Sequence, residues 1–310
     1  MTPTGKSSSA WHPRRYWLRL LRLFVVAVAA ALVILPVMLG VVSMYALTHP
    51  PCSPGGSPAS INLPFEDITL TSTNDLKVAG YFIPGTNGAA IIIPPAYSGG
   101  RGSSLHYARV FNQAGFAIVL FESRVCTAQG WISLGYQETD DVEAAYRYLL
   151  TRPDVDPTRV GLHGFSSAGA TSLMVMARMP QIRAASAEGG YHDYNAVFGT
   201  VNDGIYFDKL YRWAALLTYR LITGGSPDDL SPISTIPQIG PRPVLLVYGS
   251  RETSLPGARQ MLARAQESGV PAELWVVEGA GHGNYLSVAP EEFVRRVVGF
   301  HLAALAAEPG

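Results

Sequence analysis

The chain has 310 residues, its 23 Lys and Arg matched by 23 Asp and Glu, and 48% of it is apolar. A neutral balance offers no basic footprint for nucleic acid, and two cysteines are too few for a disulfide framework. Setting aside an apolar N-terminal stretch and the linker that follows it leaves about 245 residues, the size of one α/β domain with a real core.

The first 22 residues carry Lys6, Arg14, Arg15, Arg19 and Arg22, and residues 23–47 then contain no charged side chain. As a helix, 23–47 would reach roughly 37 Å, more than a hydrocarbon core of about 30 Å. One transmembrane helix is therefore expected, with Pro36 tolerated inside it. The next Lys or Arg after the span is Lys77. That asymmetry places the basic N-terminus (1–22) in the cytoplasm and everything beyond the span outside it. Trp11, Tyr16 and Trp17 suit the inner interface and Tyr45 the outer. A cleaved signal peptide fits less well, because its apolar core is normally about 7 to 15 residues and no Ala-x-Ala site follows here.

Residues 48–62, rich in Pro, Ser and Gly, read as a tether without structure of its own. Cys52 lies in it and Cys126 in a later loop, so both thiols are expected to stay unpaired. One globular α/β domain is expected over 63–310. Strand character over 65–72 and 77–83 around Asn74-Asp75 suggests an opening hairpin. Short apolar runs at 89–94, 116–121, 160–163, 184–188, 244–248 and 273–277 suit strands buried on both faces. Helical patterns separate them. The clearest has Val142, Ala145, Tyr146 and Leu149 on one stripe, with Asp140 and Asp141 at its positive end and Pro153 beyond it. Strand and helix alternating in this way predict a mostly parallel sheet covered on both faces. An aromatic insertion at about 190–240, before the strand at 244, is expected to form a small helical cap.

Within this frame, Val160 to Ala170 is the densest signal. An apolar run enters Gly164-Phe165-Ser166-Ser167-Ala168-Gly169, and a helix start leaves it. A serine on a tight strand-to-helix turn needs small residues two positions before and after it. Ser166 has Gly164 and Ala168 there; Ser167 has Phe165 before it, whose ring would crowd the turn. Ser166 is thus the candidate nucleophile. After the strand at 244–248 come Gly249-Ser250-Arg251-Glu252, which places a carboxylate past a strand's carboxyl end. After the strand at 273–277 comes Gly279-Ala280-Gly281-His282-Gly283. A serine hydroxyl needs an imidazole to take its proton, and the imidazole needs an acid to fix its tautomer. Glu252 is the candidate acid and His282 the candidate base, with Glu188 and Asp193 as reserve acids. Among the other histidines His163 reads as core, while His106 and His192 are candidate pocket liners.

The order Ser, acid, His, together with Arg242 to Gly249, Gly281-His282, Leu134-Gly135-Tyr136 and Arg152-Pro153-Asp154, resembles the α/β-hydrolase superfamily, in particular its serine aminopeptidase and dienelactone-hydrolase-like branch. The resemblance implies an α/β-hydrolase fold from about residue 63 onward. It also implies an oxyanion hole built from the backbone N–H groups of Tyr97 and Ser167. Here the chain departs from its relatives: Pro95-Ala96 stands where many carry His-Gly. Proline has no N–H to give, but Tyr97 keeps its own. Losing one such donor commonly costs about 3 to 4 kcal/mol.

The function expected is that of a membrane-anchored serine hydrolase cleaving a small-molecule carboxylic ester through an acyl-enzyme, with water completing the cycle. A peptidase of the same fold is the near alternative, and a non-catalytic hydrolase-fold binding domain the distant one. No His-Glu-x-x-His, cysteine cluster or phosphate-cradling Gly-x-x-x-x-Gly-Lys is present, so neither metal nor cofactor is expected.

Overall fold

The apolar runs become strands because each is buried on both faces, where β-branched side chains pack best. The computed structural model describes residues 13–199 and 204–307. Lys6 and Trp11, invoked for the N-terminal topology, lie outside the described residues, as does the side chain of Arg14. Ten strands are described: β1 (Ser53–Gly55), β2 (Glu66–Thr71), β3 (Lys77–Ile83), β4 (Ala90–Ile93), β5 (Gly99–Gly102), β6 (Ala117–Phe121), β7 (Val160–Phe165), β8 (Ala184–Glu188), β9 (Val244–Gly249) and β10 (Ala272–Val277). Eight form one sheet in the order β10-β9-β8-β7-β4-β6-β3-β2. Only the β2/β3 hairpin and the β3/β6 pair are antiparallel. All eight strands expected from the sequence are in this sheet.

Helices α1 (Pro13–Thr48), α2 (Leu105–Gln113), α3 (Glu138–Leu149), α4 (Ser167–Arg178), α5 (Tyr194–Phe198), α6 (Tyr206–Thr223), α7 (Pro232–Thr235) and α8 (Leu255–Glu267) follow in chain order. A C-terminal helical run over 290–304 has a π-helical middle, Val294–Val298. The core divides into two layers about the sheet. Val142, Leu149, Leu173, Met176 and Met261 fill one face, and Phe111, Phe116, Phe293 and Val297 the other. The expected stripe of α3 is buried as a whole. Asp141 does more than complement a helix end. It pairs with Arg124 at 2.7 Å, both side chains only 2% exposed, and Ser72 donates a further hydrogen bond to it.

Between β8 and β9 the chain builds a cap, as expected from the insertion. A third apolar cluster lies there, formed by Ile132, Leu134, Met174, Tyr194, Ala215, Tyr219 and Leu230, and joined by Met44 of α1. Helix α6 runs alongside the second half of α1. At their contact Gly40 is buried, and a Cβ there would stand 2.2 Å from the Tyr211 carbonyl oxygen and 3.0 Å from Ala214.

Two expectations for 48–62 need correction. The segment is structured: β1 pairs in parallel with β5, Pro58–Ile61 forms a 3-10 turn, and the Ile132 N–H donates to the Thr48 carbonyl at 2.8 Å. Cys52 and Cys126 are joined in a disulfide. The physical reason is shared by both. β5 consists of Gly99-Gly100-Arg101-Gly102, and a Cβ at Gly102 would stand 1.7 Å from the Gly56 carbonyl oxygen. Glycine allows two backbones to touch as readily as it allows one to be loose. Once the segment is docked, its cysteine is held near the loop it was expected only to pass.

The disulfide closes a loop with a sequence separation of 74 residues, and bridges of this kind commonly stabilise by about 2 to 4 kcal/mol. Cys52→Ser and Cys126→Ser are each expected to lower the melting temperature of the full chain by several degrees, with the double variant no worse than either single one. Melting curves with and without reductant check this; additive losses would show the bridge absent.

Candidate active site

The turn after β7 begins with a demand on volume. A Cβ at Gly164 would stand 2.2 Å from the Ala168 carbonyl oxygen and 2.5 Å from Ser172 Oγ, so only glycine fits. Ser166 follows with φ 56° and ψ −124°, a left-handed backbone that costs an L residue roughly 1 to 3 kcal/mol. Its N–H donates to the Glu188 carbonyl at 2.7 Å, and its own carbonyl accepts from Gly169 at 2.9 Å. Held between β8 and the first turn of α4, Ser166 is half-buried and faces a cavity of about 500 Å³, whose walls include Leu47, Tyr97, Leu134, Tyr191, Tyr194 and His282. A larger groove of about 690 Å³ lies by Pro243, Pro271 and Ala303, at the opposite ends of the strands, away from Ser166, Glu252 and His282.

Parallel pairing of β9 with β10, Gly249 opposite Val277, brings together the loops carrying Glu252 and His282. Arg251 N–H donates to the Ala280 carbonyl at 3.0 Å. His282 Nε2 lies 3.0 Å from Ser166 Oγ, and His282 Nδ1 lies 2.9 Å from Glu252 Oε2. The structure therefore brings the three candidate side chains into one hydrogen-bonded line. The Glu252 side chain is 2% exposed and that of His282 49%. Burial alone would raise the Glu252 carboxyl. Hydrogen bonds from His282, the Tyr285 hydroxyl, the Gly249 N–H and the Ser254 hydroxyl outweigh it and hold the group below the usual carboxylate range. Glu252 is thus an anion at neutral pH, fixed on both oxygens.

Tyr97 adopts φ 39°, and its three polar groups are all engaged. Its N–H donates to Ser167 Oγ at 2.7 Å, its carbonyl accepts from Ser123, and its hydroxyl donates to the Leu47 carbonyl at 2.9 Å. The amide that proline could not supply at position 95 is therefore present beside the serine turn, aimed at the neighbouring hydroxyl. Ser167 starts α4, where backbone N–H groups lack intrahelical partners.

The reserve acids sit elsewhere. Asp193 caps α5 and accepts from Ser231. Glu188 lies fully buried beneath the site, accepting from the Tyr107 hydroxyl at 2.6 Å. Its other oxygen faces His163 Nε2 at 3.8 Å, and neither atom is hydrogen-bonded. Burial lowers the His163 pKa well below its ordinary value and raises that of Glu188, so the two are neutral neighbours rather than an ion pair. Neither His106 nor His192 lines the cavity. The first lies tilted against Tyr107; the second packs against Gly257, where a Cβ would be 2.2 Å from its ring.

Several contributors were not singled out from the sequence. Phe165 packs its ring against that of His282, centroids 4.8 Å apart. Tyr285, three residues past the histidine, grips Glu252 at 2.6 Å. Gly189 has φ 57°, and a Cβ there would stand 2.3 Å from Tyr285 Oη and 2.9 Å from the His282 ring. The legible signals were the aromatic residue inside Gly-x-Ser and the Gly-Gly pair that follows β8.

Residues 104–308, about two thirds of the chain, match the prolyl oligopeptidase family model. The chain belongs to the prolyl oligopeptidase family. This family member is a serine hydrolase of the α/β-hydrolase fold. It is 23% identical over 240 residues to an uncharacterised protein of Mycobacterium tuberculosis, covering 76% of this chain and 78% of that one. Among solved structures it resembles esterase Pf2001 of Pyrococcus furiosus, with TM-score 0.65 and 22% identity over 84% of this chain and 99% of the esterase. It also resembles dipeptidyl peptidase 4 of Porphyromonas gingivalis, with TM-score 0.59 and 16% identity over 78% of this chain and 36% of the peptidase.

Two measurements probe the site's supports. Burial, opposed by the Tyr107 hydrogen bond and aided by the nearby Glu252 charge, pushes the Glu188 carboxyl up to about 8. An unfolded glutamate titrates near 4.3, so between roughly 4.3 and 8 the native state holds the extra proton and loses stability as pH rises. Glu188→Gln is expected to remove that slope, melting above wild type at pH 8.5 and converging with it below pH 4. Identical pH profiles would place an anion at position 188. Gly189→Ala is expected to displace the His282 ring and lower hydrolysis about 100-fold in a chain that still melts cooperatively; unaltered turnover would mean that the ring tolerates the added methyl.

Proposed function

We propose that this serine hydrolase cleaves carboxylic esters through an acyl-enzyme on Ser166. The observation that carries the reading is the continuous line from Glu252 through His282 to Ser166, with steps of 2.9 and 3.0 Å. In this reading His282 Nε2 takes the Ser166 proton as Oγ attacks the ester carbonyl. Glu252 holds Nδ1–H and stabilises the imidazolium, and the proton passes to the departing alcohol. Water then attacks the acyl carbon as it gives a proton to His282, and His282 returns that proton to Ser166 Oγ as the acid leaves. The Ser167 N–H and the Tyr97 N–H receive the oxyanion, the latter turning from Ser167 Oγ as charge develops on the substrate.

An ester is favoured over a peptide by the cavity. Leu47, Leu134, Tyr191 and Tyr194 give it a mainly apolar wall, which suits an acyl chain better than a charged peptide terminus. Both an esterase and a dipeptidyl peptidase stand among the proteins of like fold, so peptide cleavage is the alternative that the test must address.

The same reading places the chain in a membrane by α1. Its segment from Arg15 to Thr48 has a mean hydropathy of 2.9 in its most apolar window, only 11% of it buried. Basic residues precede the apolar stretch, as in a helix whose N-terminus is cytoplasmic. The Cys52–Cys126 bridge just past its end suits an oxidising compartment. In this arrangement residues 1–22 are cytoplasmic, 23–47 cross the bilayer and the hydrolase domain from 63 is extracytoplasmic.

Labelling of the full chain by a fluorophosphonate is expected to vanish in Ser166→Ala. Ester turnover is expected to fall by roughly 10,000-fold or more in Ser166→Ala and His282→Ala, and by less in Glu252→Ala. An acyl ester series run beside aminoacyl amides checks the substrate class: faster amide than ester cleavage would overturn the esterase reading, and label retained in Ser166→Ala would misplace the nucleophile.

A further inference from the structure

The depth at which the cap meets α1 follows from the position of the charges. Arg22 is the last charged residue before the apolar stretch. A hydrocarbon core of about 30 Å takes about 20 helical residues, from Leu23 to about Val42. Up to Leu35 the described side chains of α1 are exposed. From Pro36 onward, one residue per turn turns inward: Pro36, Gly40, Met44 and Thr48 are buried. The contact between Gly40 and α6 thus falls two residues, about 3 Å, inside the outer edge of the hydrocarbon. A helix packed there lies across the boundary between hydrocarbon and headgroups.

Helix α6 is built for that position. Its inner residues Ala214, Ala215, Tyr219 and Thr223 are buried. Its outer stripe, Trp213, Leu217 and Leu221, repeats every four residues and is exposed, Leu221 to 77%, and Ile205 before the helix to 73%. On a soluble domain such a stripe would be an unexplained apolar patch. Here it continues the exposed apolar surface of α1. The charges of α6 are three basic to one acidic, the composition of a helix lying at the level of anionic headgroups, and an outward tryptophan suits the same depth.

The cavity shares this level. Leu47, in the last turn of α1, forms part of its wall, and Tyr97, whose N–H stands beside the serine turn, donates its hydroxyl to the Leu47 carbonyl. Leu47 is five residues beyond Val42, about 8 Å, within the headgroup layer that adds some 5 to 8 Å per side. Ester bonds of membrane lipids lie at that boundary between headgroup and chain.

We infer that α6 is embedded in the outer leaflet beside α1, and that Ser166 receives its acyl ester from the bilayer, as a glycerolipid whose chain enters past Leu47, Tyr191 and Tyr194. The inference rests on the ester-cleaving reading above for its chemistry, which stays balanced: ester and water give fatty acid and alcohol.

The test reconstitutes the full chain in phosphatidylcholine and phosphatidylglycerol vesicles and compares wild type with the triple variant Trp213→Glu, Leu217→Glu, Leu221→Glu. Hydrolysis of a vesicle-borne diacyl lipid is expected to fall at least 10-fold in the variant, while a short water-soluble ester is turned over within 2-fold of wild type. Separately, doxyl-labelled lipids are expected to quench fluorescence that is present in wild type and missing in Trp213→Phe. Quenching does not depend on catalysis, so it reports on the embedded helix even if no ester is cleaved. Equal rates for variant and wild type on the vesicle lipid, or no quenching of Trp213, would overturn the inference, as would a dimer burying Trp213. Cleavage of the soluble ester with none of the vesicle lipid would sink it while leaving the esterase reading intact. Absence of both cleavage and fluorophosphonate labelling would instead remove the esterase reading.

Discussion

Everything around the cavity depends on a turn that admits no bulk. Ser166 is held in a left-handed backbone, with Gly164 and Ala168 two positions to either side, and that conformation persists only because its neighbours leave no alternative. The Glu188 carbonyl fixes one side and α4 the other. Because β8 lies between β7 and β9, the serine turn and the Glu252 turn stand two strands apart, and His282 spans the gap from β10. Moving any of these strands by one register step would break the line of hydrogen bonds, so the sheet's strand order and the chemistry are one constraint.

The eight-stranded sheet was legible because buried strands write themselves as short apolar runs, and the candidate Ser, Glu and His because each sits where such a run ends in small residues. What escaped was carried by backbone contacts rather than by side-chain type. Residues 48–62 have the Pro, Ser and Gly of a loose tether, yet the glycines of β5 let the segment dock, and docking brings Cys52 to Cys126. Likewise Gly189 and Tyr285 shape the histidine's surroundings through a missing methyl and one hydroxyl, features visible only once β8 and the loop after β10 are adjacent. His106 and His192 are engaged away from the cavity. Their side chains suit a pocket, but each has its own packing partner.

The buried polar layer under the site follows a different logic from the line above it. Glu252 is ionised because four donors converge on it. Glu188, with one donor and complete burial, keeps its proton. Two glutamates, one ending β8 and one just past β9, thus differ in charge through surroundings alone, which spares the Ser166 turn a second negative charge.

The joint between α1 and the domain has no slack. The Tyr97 hydroxyl on the Leu47 carbonyl, the Ile132 amide on the Thr48 carbonyl, the β1/β5 pairing and a covalent bridge all fall within a few residues of the helix end. An enzyme on a flexible stalk sweeps a hemisphere and samples the fluid around it. One mounted like this keeps a fixed bearing relative to its stem, and in the membrane-anchored arrangement proposed above the direction of its mouth is written into the helix itself, so that encounter is a search by lateral drift instead of by tumbling.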